Sequence, residues 1–164
     1  IWVESNPGVG SKFIFTIPYK KAKALIEREE ETVSRYLQEL PSNLNVLVAE
    51  DDDMNFFFIK ELLTEFNVNI LRASTGVESV NLVRSYPNID LVLMDIKMPG
   101  MDGLDATREV KKIRSNLPVI AQTAYAFTSD KEKAIEAGCD DYISKPIDRL
   151  KLVSLMTKYL SKKG

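Results

Sequence analysis

Two features of the sequence predict an α/β fold built on a five-stranded parallel sheet. Residues 44–164 alternate five short apolar runs with five longer amphipathic stretches, and residues rich in Gly, Pro, Asn and Asp separate many of them. The runs have the length of strands and the stretches that of helices. Strands that are each followed by a helix form a parallel sheet covered on both faces. Because crossovers are right-handed, we expect a doubly wound sheet of strand order 2-1-3-4-5.

Each element follows from its own pattern. Apolar runs predict strands at 45–49, 68–73, 90–95, 118–123 and 141–143. Helical spacing of apolar residues predicts helices at 55–66, 76–86, 104–115, 129–137 and 147–161. In the first of these helices, the spacing directs Ile59, Leu62, Leu63 and Phe66 toward the sheet.

Two further segments precede the sheet. Residues 1–19 alternate apolar and polar side chains around a turn rich in Gly, Pro and Asn, which predicts a β-hairpin. Residues 20–43 are strongly charged and predict a solvated linker helix that ends before Pro41. The chain opens on Ile1 in the middle of a strand-like pattern, so we expect a piece of a longer polypeptide.

Composition excludes several classes of function. The chain has 164 residues, 45% of them hydrophobic, and a net charge of −2, so it carries no basic field for nucleic acid or for an anionic membrane. No apolar stretch approaches the length of a membrane span, and we expect no direct membrane contact. The only cysteine, Cys139, is compatible with a reducing, cytoplasmic setting. The absence of histidine excludes His-based metal sites, Ser-His-Asp triads and a phospho-histidine on this chain.

Acidic residues follow two of the predicted strands. Glu50 and Asp51 come directly after the run 46–49, and Asp95 follows the run 89–94. Because the carboxyl ends of parallel strands meet at one edge of the sheet, these carboxylates should lie close together. Their mutual repulsion calls for a cation, and a hard ion such as Mg²⁺ suits an all-oxygen site. Asp51 and Asp95 could bind it directly, and Glu50 could hold one of its waters.

Two more polar residues end strands at this edge. Thr123 closes the fourth strand, and the fifth leads into Lys145. Asp95 could act as an oxygen nucleophile toward phosphorus. The Lys145 ammonium could bind a phosphate or a carboxylate, and the Thr123 hydroxyl could donate to phosphoryl oxygens. The sequence therefore predicts a metal-assisted site that handles a phosphoryl group.

Residues 44–161 resemble the receiver (response-regulator) domains of two-component signalling. The motifs that carry the resemblance are Val-Leu-Val-Ala-Glu-Asp-Asp-Asp-Met-Asn at 46–55, Leu-Met-Asp-Ile-Lys-Met-Pro-Gly-Met-Asp-Gly at 93–103, Ile-Ala-Gln-Thr-Ala at 120–124 and Ala-Gly-Cys-Asp-Asp-Tyr-Ile-Ser-Lys-Pro-Ile at 137–147. The resemblance implies a flavodoxin-like fold for a receiver domain at 44–164. It also implies phosphorylation of Asp95 from the phospho-histidine of a kinase dimerisation domain or a phosphotransfer domain.

The same resemblance implies roles for further positions. Mg²⁺ would be bound by Asp51, Asp95 and the backbone carbonyl of Lys97. Thr123 would turn toward the phosphoryl group, Tyr142 would move inward as part of a switch, and the Lys145–Pro146 peptide bond would be cis. Such a domain catalyses its own phosphorylation and its own dephosphorylation, and it is not a kinase.

Three variable positions carry hypotheses of their own. Lys97 and Tyr125 lie two residues after Asp95 and Thr123, where the family tunes hydrolysis, and their bulk predicts slow dephosphorylation. Phe56, in the run Phe56-Phe57-Phe58, could belong to an apolar docking patch, because helical spacing leaves at least one of the three phenylalanines exposed.

The first 19 residues resemble the last hairpin of a histidine-kinase ATP-binding domain. The motifs are Ile-Trp-Val-Glu-Ser at 1–5 and Gly-Val-Gly-Ser-Lys-Phe-Ile-Phe-Thr-Ile-Pro at 8–18. We therefore expect a parent chain that is a hybrid sensor histidine kinase, which could be membrane-anchored, with 1–19 as the remnant of its ATP-binding domain.

Three other functions stay open at this stage. A flavin-binding electron carrier would share the fold, but acids here replace its hydroxyl-rich phosphate loop. An aspartate-nucleophile hydrolase would carry a second Asp where Lys97 stands. A degenerate receiver, used only as a protein-interaction platform, would not need the complete set formed by the acids, Thr123 and Lys145.

Overall fold

The computed structural model describes residues 1–8, 10–17, 23–64, 66–124 and 128–161. Its first two strands, β1 (Trp2–Asn6) and β2 (Gly10–Ile14), form the predicted antiparallel hairpin, with Trp2 paired to Ile14 and Asn6 to Gly10. Most of its side chains, including the large apolar Phe13, are exposed.

A helix and then five strand–helix units follow the hairpin. In chain order they are α1 (Lys23–Glu39), β3 (Asn45–Ala49), α2 (Asp53–Thr64), β4 (Asn69–Ala73), α3 (Gly76–Ser85), β5 (Leu91–Asp95), α4 (Gly103–Ile113), β6 (Val119–Thr123), α5 (Thr128–Glu136), β7 (Asp141–Ser144) and α6 (Arg149–Leu160). The strands β3 to β7 form one parallel sheet in the order β4-β3-β5-β6-β7. The predicted order 2-1-3-4-5 is confirmed.

Helix starts differ from the predicted ones where a capping side chain decides them. The carboxylate of Asp102 accepts from the backbone N–H of Asp105, so α4 begins at Gly103. Asp148 caps Lys151 in the same way, so α6 begins two residues later than its apolar pattern indicates. An N-cap oxygen satisfies a backbone donor that the first turn leaves unpaired, and this contact overrides the apolar pattern.

The sheet separates two apolar cores. Side chains such as Leu47, Val92 and Val119 pack on the face that carries α3 and α4. The opposite face, covered by α2 and α6, is packed by a second set. The members of this set on the sheet are Val46, Val48, Leu91, Leu93, Ile120 and Ile143. Burial of both faces explains why the strands read as nearly continuous apolar runs.

The helix α1 packs against α6. Val33 is only 2% exposed and belongs to the core on the α2 and α6 face. Tyr36, Leu37 and Leu40 pack against the same core, and the Thr157 hydroxyl of α6 donates to the Tyr36 carbonyl at 3.5 Å. Because Val33, Tyr36 and Leu37 recur at helical spacing and Leu40 continues the pattern just after the helix, they form a stripe that is covered rather than solvated. The helix is therefore not the wholly solvated linker that its charge suggests.

No helix in the described ranges combines the length and the apolar character that crossing a bilayer requires.

The packing of α1 can be tested with a pair of neighbouring substitutions. Val33→Asp should lower the free energy of unfolding by about 2–4 kcal/mol, because it places a carboxylate without a partner in an apolar core. Ser34→Asp, at the next and exposed position, should change it by no more than about 0.5 kcal/mol. Urea unfolding followed by circular dichroism measures both. Equal effects of the two substitutions would show that α1 does not pack on α6 in solution.

Candidate functional site

The parallel sheet gathers four strand ends at one edge. Glu50 follows β3, Asp95 is the last residue of β5, Thr123 is the last residue of β6, and Lys145 follows β7. The strands β3, β5, β6 and β7 are consecutive neighbours in the sheet. Their carboxyl ends therefore meet, and the residues that the sequence singled out lie on one rim of the molecule.

Three carboxylates form a cluster at this rim. Glu50, Asp51 and Asp95 each place one carboxylate oxygen within 4.8 Å of the others. Glu50 and Asp95 are buried, whereas Asp51 is exposed and gives the cluster access to solvent. Oxygen donors of this kind are the ligands that hard divalent cations prefer. The cluster therefore fits Mg²⁺ by its donor chemistry.

The ammonium of Lys145 bridges two of the acids. Its Nζ donates to Glu50 Oε2 at 2.6 Å and to Asp95 Oδ2 at 2.7 Å. The Lys145–Pro146 peptide bond that follows is cis, as expected. One ammonium among three carboxylates leaves negative charge in excess, so the site retains an attraction for a cation.

Hydrogen bonds hold both acids in place. The backbone N–H of Lys97 donates to Asp95 Oδ1 at 3.0 Å, so each oxygen of Asp95 has a donor. Asn55, on the first turn of α2, donates to Glu50 Oε1 at 3.1 Å. The orientation of Asp95 is thus fixed from two sides, which suits a group that must attack along one line.

Burial and nearby charges shift the pKa values of Glu50 and Lys145. Burial raises the pKa of Glu50, and the nearby Asp95 carboxylate adds to this effect, while the hydrogen bond from Lys145 opposes it. Burial alone would lower the pKa of Lys145, but its hydrogen bonds to Asp95 and Glu50 outweigh burial and raise that pKa above its usual value. Lys145 is therefore held as an ammonium.

A glycine brings the next helix, α4, against the end of β5. A Cβ on Gly103 would lie 1.9 Å from the carbonyl oxygen of Asp95, so no other residue fits without movement of the backbone. The N–H of Gly103 donates to the carbonyl of Ile96 at 3.0 Å. The turn after Asp95 is closed tightly on itself, which explains the glycine in this motif.

Thr123 ends β6, the strand next to that of Asp95, and Tyr142 lies on β7, the strand beyond it. Thr123 is buried, its carbonyl accepts from the N–H of Lys145 at 2.7 Å, and it lines a cavity of about 490 Å³ together with Lys97. Tyr142 is half-buried against the core of the α3 and α4 face. The ammonium groups of Lys131 and Lys151 lie 5.1 and 4.9 Å from its ring centroid.

The three phenylalanines of α2 differ in exposure, and Phe56, the residue proposed for docking, is not the most exposed of them. Phe56 is half-buried, and the guanidinium of Arg72 lies 4.4 Å from its ring centroid. Phe57 and Phe58 are the exposed members. Phe58 lines a cavity of about 220 Å³ with Asn55, Ile59, Lys145, Pro146 and Ile147. The rotation of α2 thus turns Phe58, rather than Phe56, toward the rim that holds Lys145. Tyr125 lies outside the described residues.

Sequence reasoning missed two residues near the site. Asn55 stands five residues after Glu50, in the first turn of a helix that starts at the rim, and this spacing could have indicated their contact. Gln122 interrupts the apolar run of β6, and a polar residue inside a buried strand is itself a signal.

Several known proteins are similar to this chain. The sensor protein EvgS of Escherichia coli K12 is 32% identical over 148 residues, which cover 88% of this chain and 12% of EvgS. The receiver domain of the sensor histidine kinase PA1611 of Pseudomonas aeruginosa PAO1, a crystal structure with magnesium in the active-site cleft, is 29% identical. It superposes with a TM-score of 0.66 over 72% of this chain and 98% of that one.

A third similar structure contains a partner. The receiver domain of Ssk1 from Saccharomyces cerevisiae, solved in complex with the histidine phosphotransfer protein Ypd1, is 25% identical with a TM-score of 0.67. The match covers 72% of this chain and 89% of that one.

This chain corresponds to only a small part of each sensor-kinase relative. The chain spans between 7% and 13% of the length of the sensor-kinase relatives that it matches. The family model of the response regulator receiver domain matches residues 46–157, which include the whole sheet after its first residue and every strand end of the rim. The chain belongs to the response regulator receiver domain family and carries a receiver domain of two-component signalling.

Proposed function

We propose that Asp95 accepts a phosphoryl group from the phospho-histidine of a donor protein in a Mg²⁺-dependent reaction, and that this modification switches the conformation of the domain. The observation that carries the proposal is the bridge from Lys145 to Glu50 and Asp95, set beside the exposed Asp51. A buried nucleophile, a fixed ammonium and a set of hard oxygen ligands are the parts that phosphoryl transfer requires.

The reaction follows from the positions of these groups. An oxygen of Asp95 attacks phosphorus and forms the O–P bond of an acyl phosphate, while the N–P bond of the donor breaks. The donor imidazole leaves with the bonding electron pair, as a neutral ring whose other nitrogen carries the proton. Lys145 then binds a phosphoryl oxygen and neutralises charge that develops there. The hydrogen bond from Lys97 to Asp95 Oδ1 keeps the carboxylate oriented during the attack.

Glu50, Asp51, Asp95 and the Lys97 carbonyl are the groups that would hold Mg²⁺. When bound, the ion supplies positive charge for the phosphoryl oxygens and lowers the repulsion between the acids and the incoming anion. The magnesium in the PA1611 receiver supports this assignment.

The switch uses Thr123 on β6 and Tyr142 on β7. Thr123 moves toward the phosphoryl oxygens, to which its hydroxyl donates, and Tyr142 moves further inward. Since Tyr142 is half-buried between Lys131 and Lys151, its displacement would carry the change to α5 and α6. Phosphorylation acts by stabilising one of two conformations over the other.

The wider architecture is also a proposal. Residues 44–164 form the receiver, 20–43 a charged linker that contains α1, and 1–19 the last hairpin of a histidine-kinase ATP-binding domain in a cytoplasmic part of a hybrid sensor kinase. The match to EvgS, which extends over 88% of this chain, supports this division. The complete set of acids, Thr123 and Lys145 gives no support to a degenerate receiver.

Phosphorylation of Asp95 can be measured directly. Incubation with acetyl phosphate and Mg²⁺ should add the mass of one phosphoryl group to the wild-type chain. Asp95→Asn should abolish this gain, because an amide oxygen is a much weaker nucleophile. Asp90→Asn, a carboxylate at the opposite edge of the sheet, is the matched control and should keep it. A mass gain that persists in Asp95→Asn, and that also persists when a chelator removes Mg²⁺, would contradict the proposal.

The lifetime of the acyl phosphate tests the role of Tyr125. Its bulk should hinder the attacking water, so Tyr125→Ala should speed the decay of the phosphorylated chain several-fold. Tyr86→Ala removes an exposed tyrosine at the far edge of the sheet and should leave the decay unchanged. Loss of the label over time measures both. Equal or slower decay in Tyr125→Ala would contradict the assignment.

Docking of the donor can be separated from chemistry. Phe58 is exposed beside Lys145 and Pro146, so Phe58→Lys should slow transfer from a phosphorylated phosphotransfer protein about tenfold or more. Its phosphorylation by acetyl phosphate should stay at the wild-type rate, because that donor needs no docking surface. Val77→Lys, which changes an exposed apolar residue on α3, should affect neither rate. Loss of both rates in Phe58→Lys would place the residue in the reaction site instead.

A further inference from the structure

Gln122 is a fully buried polar residue next to the phospho-acceptor. It is 0% exposed, and neither its amide nitrogen nor its amide oxygen has a hydrogen-bond partner among the described residues. A buried amide without a partner is costly, and most buried polar side chains in native proteins are paired. An apolar residue would fill the same place in β6 without this cost, so the amide calls for a function.

The sheet register places Gln122 beside Asp95. The two residues are paired across β6 and β5, and the N–H of Ile96 donates to the carbonyl of Gln122 at 3.2 Å. Side chains alternate along a strand, and Leu93 and Ile120, two residues earlier on each strand, both belong to the core on the α2 and α6 face. Asp95 and Gln122 therefore extend from the same face of neighbouring strands, one strand spacing apart.

The donors of Asp95 are already supplied in the unphosphorylated state. Lys145 donates to Oδ2 and the Lys97 N–H donates to Oδ1. Gln122 is thus next to a carboxylate whose oxygens are satisfied by stronger or better-placed donors. Its amide has no part in the contacts that hold this state together.

Phosphorylation changes which donors are available to Asp95. The negative charge of Asp95 moves to the phosphoryl oxygens, and charge-assisted hydrogen bonds draw the Lys145 ammonium to them. The acyl oxygen of Asp95 from which Lys145 moves away loses its donor. This oxygen lies one strand away from the amide of Gln122. A hydrogen bond formed only in the modified state stabilises that state selectively.

We propose that Gln122 is a positioning residue for the phosphorylated state: its buried amide, unpaired before modification, donates to the acyl group of Asp95 once Lys145 has moved to the phosphoryl oxygens. The inference rests on the proposed function, since it names a second donor for the same acyl phosphate. It also assigns a reason for the polar residue inside an otherwise apolar strand.

Beryllofluoride, a non-hydrolysed phosphoryl analogue, isolates this step. With Mg²⁺ saturating, the shift of the thermal unfolding midpoint against beryllofluoride concentration gives an apparent affinity for each variant. Gln122→Met and Gln122→Leu remove the amide but keep an apolar side chain of similar size. Both should bind beryllofluoride about 3- to 10-fold more weakly, the loss of one ordinary hydrogen bond. Their Mg²⁺ affinity should stay at the wild-type value, and their ligand-free unfolding midpoint should rise.

A control separates the amide from packing. Ile143 is paired with Gln122 across β7 and is equally buried, so Ile143→Met perturbs the same core without touching a polar group. It should leave beryllofluoride affinity unchanged. Unchanged affinity in the two Gln122 variants, or an equal loss in Ile143→Met, overturns the inference. So does a lower ligand-free midpoint in both Gln122 variants, because it would show that the amide already has a partner.

The wild type distinguishes this inference from the function on which it rests. If wild-type protein responds to beryllofluoride and Asp95→Asn does not, the proposed function stands, and the Gln122 variants alone decide the role of the amide. If wild-type protein shows no response, the proposed function and the role of Gln122 fall together.

Discussion

The contact of one ammonium with two buried carboxylates is the interaction on which this rim of the molecule depends. Packing of the parallel sheet forces Glu50 and Asp95 together, because Glu50 directly follows β3 and Asp95 ends β5, and the apolar side chains of these neighbouring strands are fully buried. Two carboxylates about 4 Å apart repel by up to about 4 kcal/mol at an effective dielectric constant near 20. Lys145, which follows β7 at the same rim, offsets this repulsion, and its loss would leave buried charge without compensation.

The same constraint makes the site responsive. Lys145 neutralises only part of the negative charge of the three carboxylates, so the rim attracts a divalent cation. A change at Asp95 then redistributes the donors of Lys145, Lys97 and the neighbouring strands. The rigid sheet fixes the positions of these residues, while the loops that follow each strand give the freedom to rearrange.

Topology and the identity of the rim residues could be read from the sequence, because period, length and strand-end position are local signals. Three features could not. The rotation of α2, which exposes Phe58 and covers Phe56, depends on tertiary contacts such as that with Arg72. The packing of α1 could not be decided, because its many charged residues favour a solvated helix and only three of its described positions, together with Leu40 just after it, carry the stripe. The start of α6 followed the cap at Asp148 rather than the apolar pattern.

Because the apolar stripe of α1 packs in the core, the folded unit begins before the receiver motif. The family model starts at residue 46, yet Val33 shares a core with side chains of α2 and α6. A domain that began at residue 46 would lack Val33 and would expose the apolar side chains that Val33 covers. The core of the domain therefore includes residues that lie outside the range of the family model. Replacing α1 by another segment would therefore also remove contacts that cover α6.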